Sequence, residues 1–189
     1  MDAKDPRAAQ VIAFWFAAGP RDKRWFEKSE VFDAEIRERF LALYDEAAAG
    51  KLRAWQSSAA DCLALILLLD QFPRNMFRGS ARAFGTDALA LQTAQHALDR
   101  GYDRGMEPAM RTFFYLPFEH AESLEAQETA CRLTEPLAAF PETFDVHRYA
   151  LRHREIVARF GRFPHRNAAL GRASTPEELE FLKQPGSGF

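Results

Sequence analysis

A chain of 189 residues is long enough for one compact domain with a single core, and it is short for two domains. Hydrophobic residues make up 47% and aromatic residues 13% of the sequence, which argues against disorder away from the termini. The formal net charge of -2 excludes the strongly basic surface of a non-specific nucleic-acid binder, so we expect no nucleic-acid partner.

Helical periodicity runs through nearly every segment between turns, and no segment alternates like a β-strand. In chain order, the predicted helices cover about residues 6–18, 29–49, 58–72, 86–100, 107–118, 122–140, 143–160 and 175–182. Glycine or proline directly follows most of them, which is typical of helix ends. Seven or eight helices with short loops predict an all-α, antiparallel helical bundle or a short solenoid. We expect one domain over residues 1–184 and a flexible tail over 185–189.

Serine, threonine and proline positions sharpen three of these predictions. The third helix begins at Ser58 and ends at Phe72, because Pro73 cannot continue it. Its middle, "CLALILLLD", is apolar on every side, which is typical of a helix inside a bundle. Pro136 is expected to kink or split the sixth helix. The last helix opens with a capping box that begins at Thr175.

Cysteine usage and apolar runs indicate a cytoplasmic protein. Cys62 and Cys131 stand alone, without the CxxC spacing or the density of a disulfide scaffold. The first apolar stretch follows two acidic as well as two basic residues, so the basic leader of a signal peptide is missing. The longest strongly apolar run, residues 63–69, is far below the roughly 20 residues that cross a bilayer. We therefore expect no membrane contact.

Asp70 lies at the carboxyl-terminal end of the most apolar predicted helix, where the helix dipole and burial both disfavour an anion. It therefore needs a cation, and the candidates are Arg74, Arg78 or an arginine of "RFGRFPHRN" (159–167). Two interpretations stay open. Either an internal ion pair fixes one helix end against another, or Asp70 orients Arg74 for a ligand.

The sequence "FPHRN" (163–167) follows the seventh helix in a locally cationic stretch. Pro164 would take the first position of a short helix, whose free N–H groups attract anions. His165, Arg166 and Asn167 would then form a cationic lip, since arginine binds phosphate and carboxylate through a planar fork. The alternative is that Arg166 and Asn167 cap neighbouring helix ends.

Histidine and carboxylate side chains near Pro117 are candidates for acid–base chemistry. "FEHAE" puts Glu119, His120 and Glu122 after that proline, at a predicted helix entrance, where the acids could instead complement the helix amino terminus. His153 lies on an apolar stripe, which is more typical of a hydrogen-bonded core residue than of a base. The histidines form no compact metal-binding spacing and no nucleotide motif is present, so we expect neither a metal nor a cofactor.

Long motifs distributed over the whole chain resemble one known family. They are "FWF" (14–16), "LLLDQFPRNMFRG" (67–79), "AFGTDALAL" (83–91), "RTFFYLPFEHAE" (111–122), "HREIVARFGRFPHRNAALGR" (153–172) and "STPEELEFL" (174–182). On these residues the chain is identified as a member of the bacterial domain-of-unknown-function family 924. The resemblance implies a tetratricopeptide-like (TPR-like) right-handed superhelix, and it implies no established activity or catalytic residue. Because three of the motifs fall at helix ends, helices folded back on each other would bring them together at one rim.

Three functions stay open. The first is a binding module with a polar cleft for an anionic small molecule or for an acidic peptide or protein partner. Its candidate ligand-binding residues are Asp70, Arg74, Asn75, Arg78, Arg111, Arg154, His165, Arg166 and Asn167. The second is a hydrolase or transferase in which the arginines clamp the substrate. Its candidate catalytic residues are His120, Glu122 and His153, with Glu119 or Glu155 as further carboxylates. The third is a buried polar network without a ligand.

Overall fold

The computed structural model describes residues 3–20 and 22–188, and that part of the chain is helical with no strand. Its helices are α1 (Pro6–Trp15), α2 (Glu30–Ala48), α3 (Ala59–Ile66, continued by Leu67–Gln71 and Phe72–Met76), α4 (Asp87–Asp99), α5 (Pro108–Glu119), α6 (Leu124–Thr134), α7 (Val146–Phe160) and α8 (Pro176–Leu182). Short 3₁₀ turns lie at Lys23–Trp25, Arg53–Ser57, Ala81–Phe84, Glu135–Ala139 and Pro164–Arg166. For the described residues, the predicted all-α fold of seven or eight helices is confirmed.

Local side chains explain where several helices begin and end. The hydroxyl of Ser58 accepts a hydrogen bond from the N–H of Asp61 at 3.3 Å. Thr175 and Glu178 form the predicted capping box at the start of α8. These bonds satisfy amide groups that have no partner within their own helix. Gly161 ends α7 with a φ of 69°, the left-handed conformation that glycine adopts without strain.

The prediction that α3 ends at Phe72, before Pro73, is wrong. The helix widens into a π-helical turn at Leu67–Gln71 and then continues to Met76. In that turn the N–H of Phe72 donates to the carbonyl of Leu67, five residues back instead of four. Pro73 therefore lies at the start of the last helical segment, and its missing N–H leaves a carbonyl of the preceding turn without an intrahelical donor.

Two carbonyl groups at this turn have side-chain partners. Leu69 lies four residues before Pro73, and its carbonyl accepts from the hydroxyl of Thr86 at 2.6 Å. The carbonyl of Asp70 accepts from Nη1 of Arg74, also at 2.6 Å. Side chains thus supply donors for these two carbonyl groups. The turn positions Asp70 and Arg74 near the end of α3.

Pro136 and Pro117 affect their helices differently. α6 stops at Thr134 and the chain continues as the 3₁₀ turn Glu135–Ala139, so the predicted split is confirmed. Pro117 instead lies inside α5, which continues to Glu119. A proline in the last turn removes a single backbone bond, which a buried helix tolerates. Glu119 and His120 of "FEHAE" therefore lie at the end of α5 and not at a helix entrance, whereas Glu122 directly precedes Ser123, the N-cap of α6.

Aromatic side chains around α3 form the main core. Trp15 contacts Phe72 and Phe113, with ring centroids 5.4 and 5.6 Å apart, and all three side chains are fully buried. α1, α2, α4 and α5 pack against α3, whereas α5 packs on α6 and α6 packs on α7. A smaller apolar cluster in the carboxyl-terminal part consists of Ile156, Val157 and Phe163. The ends of α3 and α5 thereby come close to α7.

Within the described ranges, no helix is both long and apolar enough to span a bilayer. The TPR-like superhelix, the domain boundary at residue 184 and the flexible tail stay predictions. Phe189, at the end of that tail, lies outside the described residues.

Candidate functional site

Four of the sequence motifs meet where α3 and α5 end, α4 begins and α7 passes. We call this group of side chains the polar cluster, and its members are Asp70, Arg74, Asp87, Glu119, His120, His153, His165 and Arg166. Residues that are far apart in the sequence touch here. Asp70 and His120 are 50 positions apart, and Asp87 and Arg166 are 79 positions apart.

Asp70 has 1% of its surface exposed, and it has the cation that the sequence required. Nη1 of Arg74 lies 3.3 Å from its Oδ1 atom, and Nδ1 of His120 lies 2.8 and 3.0 Å from its two oxygens. Burial alone would raise the pKa of Asp70, but the charge of Arg74 and the contact with His120 hold that pKa well below its usual range. Asp70 is therefore ionised at neutral pH and fixes both partners.

Asp87 is a member of the cluster that the sequence analysis missed. Nη1 and Nη2 of Arg74 donate to its two oxygens at 2.8 and 3.0 Å, and Nη1 of Arg166 donates to Oδ2 at 3.2 Å. An acid at the first position of a helix is usually explained by the helix dipole, so this residue type carried no distinct signal. The motif "AFGTDALAL" that contains Asp87 was the available clue.

Arg166 is a buried guanidinium between two aromatic rings. Its exposed fraction is 6%, and its Cζ atom lies 4.7 Å from the ring centroid of Phe84 and 4.5 Å from that of Phe163. Its Nε atom is buried and has no hydrogen-bond partner among the described residues. Burial and the like charge of Arg74 lower the pKa of Arg166 to about 10. The positive charge of Arg166 is therefore incompletely compensated.

His120 is held through its Nδ1 atom. Because the carboxylate of Asp70 can only accept, Nδ1 carries the proton, and the neutral ring has its lone pair on Nε2. Burial and the charge of Arg74 lower the pKa of His120. The ring is therefore neutral at pH 7. A carboxylate on Nδ1 is the arrangement that lets Nε2 act as a general base.

His153 forms a second histidine–carboxylate pair beside the first. Its Nδ1 atom lies 2.9 Å from Oε1 of Glu119 and 2.9 Å from the carbonyl oxygen of Tyr149. Glu119 and His153 are both buried, so His153 is the hydrogen-bonded interior residue that its position predicted. The ring centroids of His153 and His120 are 6.2 Å apart. The two histidines proposed as alternative bases are therefore neighbours.

His165 borders the cluster from the 3₁₀ turn Pro164–Arg166. Burial, together with the charges of Arg166 and His153, lowers its pKa to about 4. The His165 ring is therefore uncharged over most of the pH range in which the protein would act.

The predicted cationic lip is not formed, because Arg166 and Asn167 are buried. Asn167 donates to the hydroxyl of Ser174 at 3.0 Å and to Oε2 of Glu178 at 3.3 Å. It also accepts from Nε of Arg172 at 3.0 Å. Asn167 thus ties the turn to the segment before α8 and to Glu178 in the first turn of that helix.

Three further candidates lie outside the polar cluster, one between α5 and α6 and two on α7. Oε1 of Glu122 accepts from the N–H of Phe163 at 2.8 Å, and its carboxylate also binds the guanidinium of Arg172 at 2.6 and 2.8 Å. Glu122 therefore fixes the turn after α7 and is not placed to orient a base. Arg154 is half-buried on α7, and Glu155 next to it is exposed.

The remaining arginine and asparagine candidates bind other partners. Asn75 and Arg78 both donate to Asp33 of α2, with distances of 2.7 and 2.5 Å. Arg111 donates to the hydroxyl of Tyr115 at 3.2 Å. The cation of Asp70 is thus Arg74 and not Arg78. The pairing with Asp33 depends on how α2 packs against α3, which the sequence did not reveal.

Two grooves lie away from the polar cluster. One, of about 610 Å³, runs between α4 and α6 and includes Leu91, Phe118 and Ala126 in its lining. The other, of about 330 Å³, lies between α1 and α2 and includes Phe14 and Arg39. Neither contains a member of the polar cluster, so the candidate residues do not line these grooves.

Comparisons with known proteins agree with the motifs in the chain. A sequence model of a family described as a bacterial protein of unknown function (DUF924) matches residues 11–186. The solved structure of a protein of unknown function, ATU0120 from Agrobacterium tumefaciens, is similar, with a TM-score of 0.87 and 47% sequence identity. That match covers 94% of this chain and 97% of the other. No match is found among curated proteins. Since the family model spans nearly the whole chain, from α1 to the residues after α8, the protein belongs to the bacterial family DUF924.

Proposed function

We propose that the polar cluster binds a small molecule through an anionic group, either a carboxylate or a phosphate. The observation that carries this proposal is the incomplete compensation of Arg166. Arg166 and Arg74 share the carboxylate of Asp87, and Nε of Arg166 has no partner in the described part of the chain. Buried charges in proteins are normally paired and fully hydrogen-bonded. An anion beside Arg166 would balance its positive charge and would accept a hydrogen bond from its Nε atom.

The chemistry of the cluster favours arginine-mediated recognition over a metal or a nucleotide cofactor. A guanidinium offers planar, paired donors that match a carboxylate or phosphate. The flanking rings of Phe84 and Phe163 hold that plane in position. The acidic terminus of a peptide would present the same carboxylate group. A cytoplasmic location is part of this proposal, because Cys62 and Cys131 are free thiols and both are buried.

The test is thermal denaturation of the full chain with inorganic phosphate, acetate, succinate and short acidic peptides. A ligand at about 100 times its Kd should add about 2.7 kcal/mol of stability. For a chain of this size, that corresponds to a rise in Tm of roughly 5–10 °C. Arg166→Met should abolish the shift. Arg78→Met is the matched control, because Arg78 also pairs with an aspartate but lies outside the cluster.

Two results would contradict the proposal. One is a Tm that no anion raises in the unmodified chain, combined with severe destabilisation by Arg166→Met. The cluster would then be a structural network. The other is an anion-dependent shift that Arg166→Met retains and Arg78→Met loses, since binding would then occur elsewhere.

A second candidate function is acid–base catalysis, as in a hydrolase or transferase. The observation that favours it is the pairing of Nδ1 of His120 with the buried carboxylate of Asp70, 2.8 Å away. Nε2 of His120 would exchange a proton with a substrate held by the arginines. The probes are p-nitrophenyl phosphate and p-nitrophenyl acetate. His120→Asn should abolish turnover and retain phosphate binding, whereas the control His96→Asn should retain both. Turnover that survives in His120→Asn would exclude this role.

A further inference from the structure

The segment after α8 turns back onto the protein and contacts residues beside the polar cluster. We call residues 184–188 the C-terminal strap. Its turn is closed by the N–H of Ser187, which donates to the carbonyl of Gln184 at 3.2 Å. The hydroxyl of Ser187 also donates to the carbonyl of Leu182 at 3.1 Å. These two bonds close a turn over residues 184–187 and tie it to the end of α8.

Arg152 of α7 holds the strap by its backbone. Nη2 of Arg152 donates to the carbonyl of Pro185 at 3.4 Å and to the carbonyl of Gly186. Gly186 has a φ of 72°, and a Cβ atom added there would overlap the Arg152 guanidinium. The backbone conformation thus favours glycine, and a side chain at this position would displace the Arg152 guanidinium from the strap.

The strap also reaches a member of the polar cluster. A Cβ atom at Gly188 would lie 3.5 Å from Cβ of His165, so the backbone of Gly188 is against that side chain. His165 in turn lies within electrostatic range of His153 and Arg166. Arg152, which holds the strap, directly precedes His153 on α7. The strap therefore borders the cluster at His165.

The strap buries little of its own surface. Residues 184–186 and Gly188 are exposed, and Arg152 donates to two of the strap's carbonyl groups. Segments with little buried apolar surface open at a low free-energy cost. Such a segment can leave the surface without unfolding the helices beneath it.

We propose that the C-terminal strap covers His165 and limits access to the polar cluster, so that a ligand binds more tightly when the strap is released. The ligand-dependent part of this inference rests on the proposed anion binding. The cover over His165 rests on the contacts alone. In the unmodified protein only the molecules with an open strap can bind the ligand, which raises the apparent Kd. When the strap is released, every molecule can bind and the apparent Kd falls.

The variant Gly186→Val should release the strap, since it combines the left-handed φ with the overlap at Arg152. Gly105→Val is the matched control: Gly105 has a φ of 76°, and no atom lies within 4 Å of an added Cβ. Arg152→Met removes the donor and should act like Gly186→Val. The readouts are the titration of the His165 ring by NMR and the Kd for inorganic phosphate.

Release of the strap should move the pKa of His165 upward from about 4, because the ring becomes less buried. It should also lower the Kd for phosphate by about threefold to tenfold. An unchanged His165 titration in both strap variants would overturn the inference. If the pKa of His165 shifts but the Kd for phosphate stays the same, the strap covers His165 without limiting access of a ligand to the polar cluster. Absence of phosphate binding in every variant would instead refute the proposed function, and the cover over His165 would be judged by the titration.

Discussion

Arg166 is the residue at which stability and ligand binding are expected to conflict. Replacing it by methionine removes an incompletely paired buried charge and keeps an apolar chain of similar length between Phe84 and Phe163. Removing one partner of a buried ion pair is costly when it leaves the other partner unpaired, but here Asp87 keeps Arg74. We therefore predict that Arg166→Met leaves the free energy of unfolding unchanged or raises it by about 1 kcal/mol. Urea denaturation measures this.

Arg74→Met provides the contrast, because Asp70 is almost fully buried and depends on that cation. Its loss should cost about 3–5 kcal/mol, as when one partner of a buried ion pair is removed. Equal and large losses in the two variants would indicate that both arginines serve stability alone.

His165 should make the stability depend on pH. Its pKa is about 4 in the folded protein and about 6.5 when exposed, so the unfolded state binds more protons between these values. Stability should therefore fall as the pH is lowered from 6.5 to 4, by roughly 3 kcal/mol for this group. His165→Gln should reduce that slope in urea denaturation at several pH values. If the His165→Gln variant keeps the same dependence of stability on pH, His165 is not the group that causes it.

The sequence predicted some of these residues better than others. A buried aspartate at a helix end requires a cation wherever the helices lie, so the partner of Asp70 could be anticipated. Asp87 looks like an ordinary first-turn acid, and its role depends on Arg74 and Arg166 both reaching it. That information belongs to the packing of helices and is absent from any local pattern.

At the scale of elements, the π-helical turn of α3 depends on Thr86. Its hydroxyl satisfies the carbonyl of Leu69, and Thr86→Val would leave that buried carbonyl without this donor. We predict a loss of about 1–3 kcal/mol. The control is Thr93→Val, because the hydroxyl of Thr93 donates to Leu89, four residues earlier in the same helix. A carbonyl inside a helix keeps its backbone donor, so the control should cost less.

The helix boundaries show which features neighbouring residues can predict and which features depend on the fold. Capping residues such as Ser58 and Thr175 act within a few positions, and the starts they predicted are correct. The end predicted at Phe72 is wrong because a π-helical turn tolerates Pro73, whereas Pro117 lies inside the last turn of α5, as predicted. The split at Pro136 was read correctly. Tolerance of proline depends on partners such as Thr86, which only the fold brings into reach.

At the scale of the molecule, the carboxyl-terminal part is held differently from the rest. The aromatic core surrounds α3, whereas α7 and α8 rely on the small apolar cluster and on ion pairs such as Arg162–Glu178 at 2.6 Å. Regions with less buried apolar surface open more readily. We predict that amide hydrogens of α8 exchange much faster than those of α3 in hydrogen-exchange mass spectrometry. Equal protection would show that the bundle opens only as a whole.

The TPR-like superhelix implied by the family resemblance stays a prediction. Its handedness depends on crossing angles between successive helices, which side-chain packing sets. The all-α class follows from periodicity alone, so it could be predicted with far less information.

Arg74 and Arg166 come from two motifs that resemble each other in the sequence, and both bind Asp87. Loss of Arg166 leaves that carboxylate with Arg74. Asp87 thus has two cationic partners. Substitutions can accumulate in the motif that contains Arg166 while Arg74 keeps the carboxylate paired. A new ligand preference in this family could begin with substitutions at Arg166, without an intermediate that fails to fold.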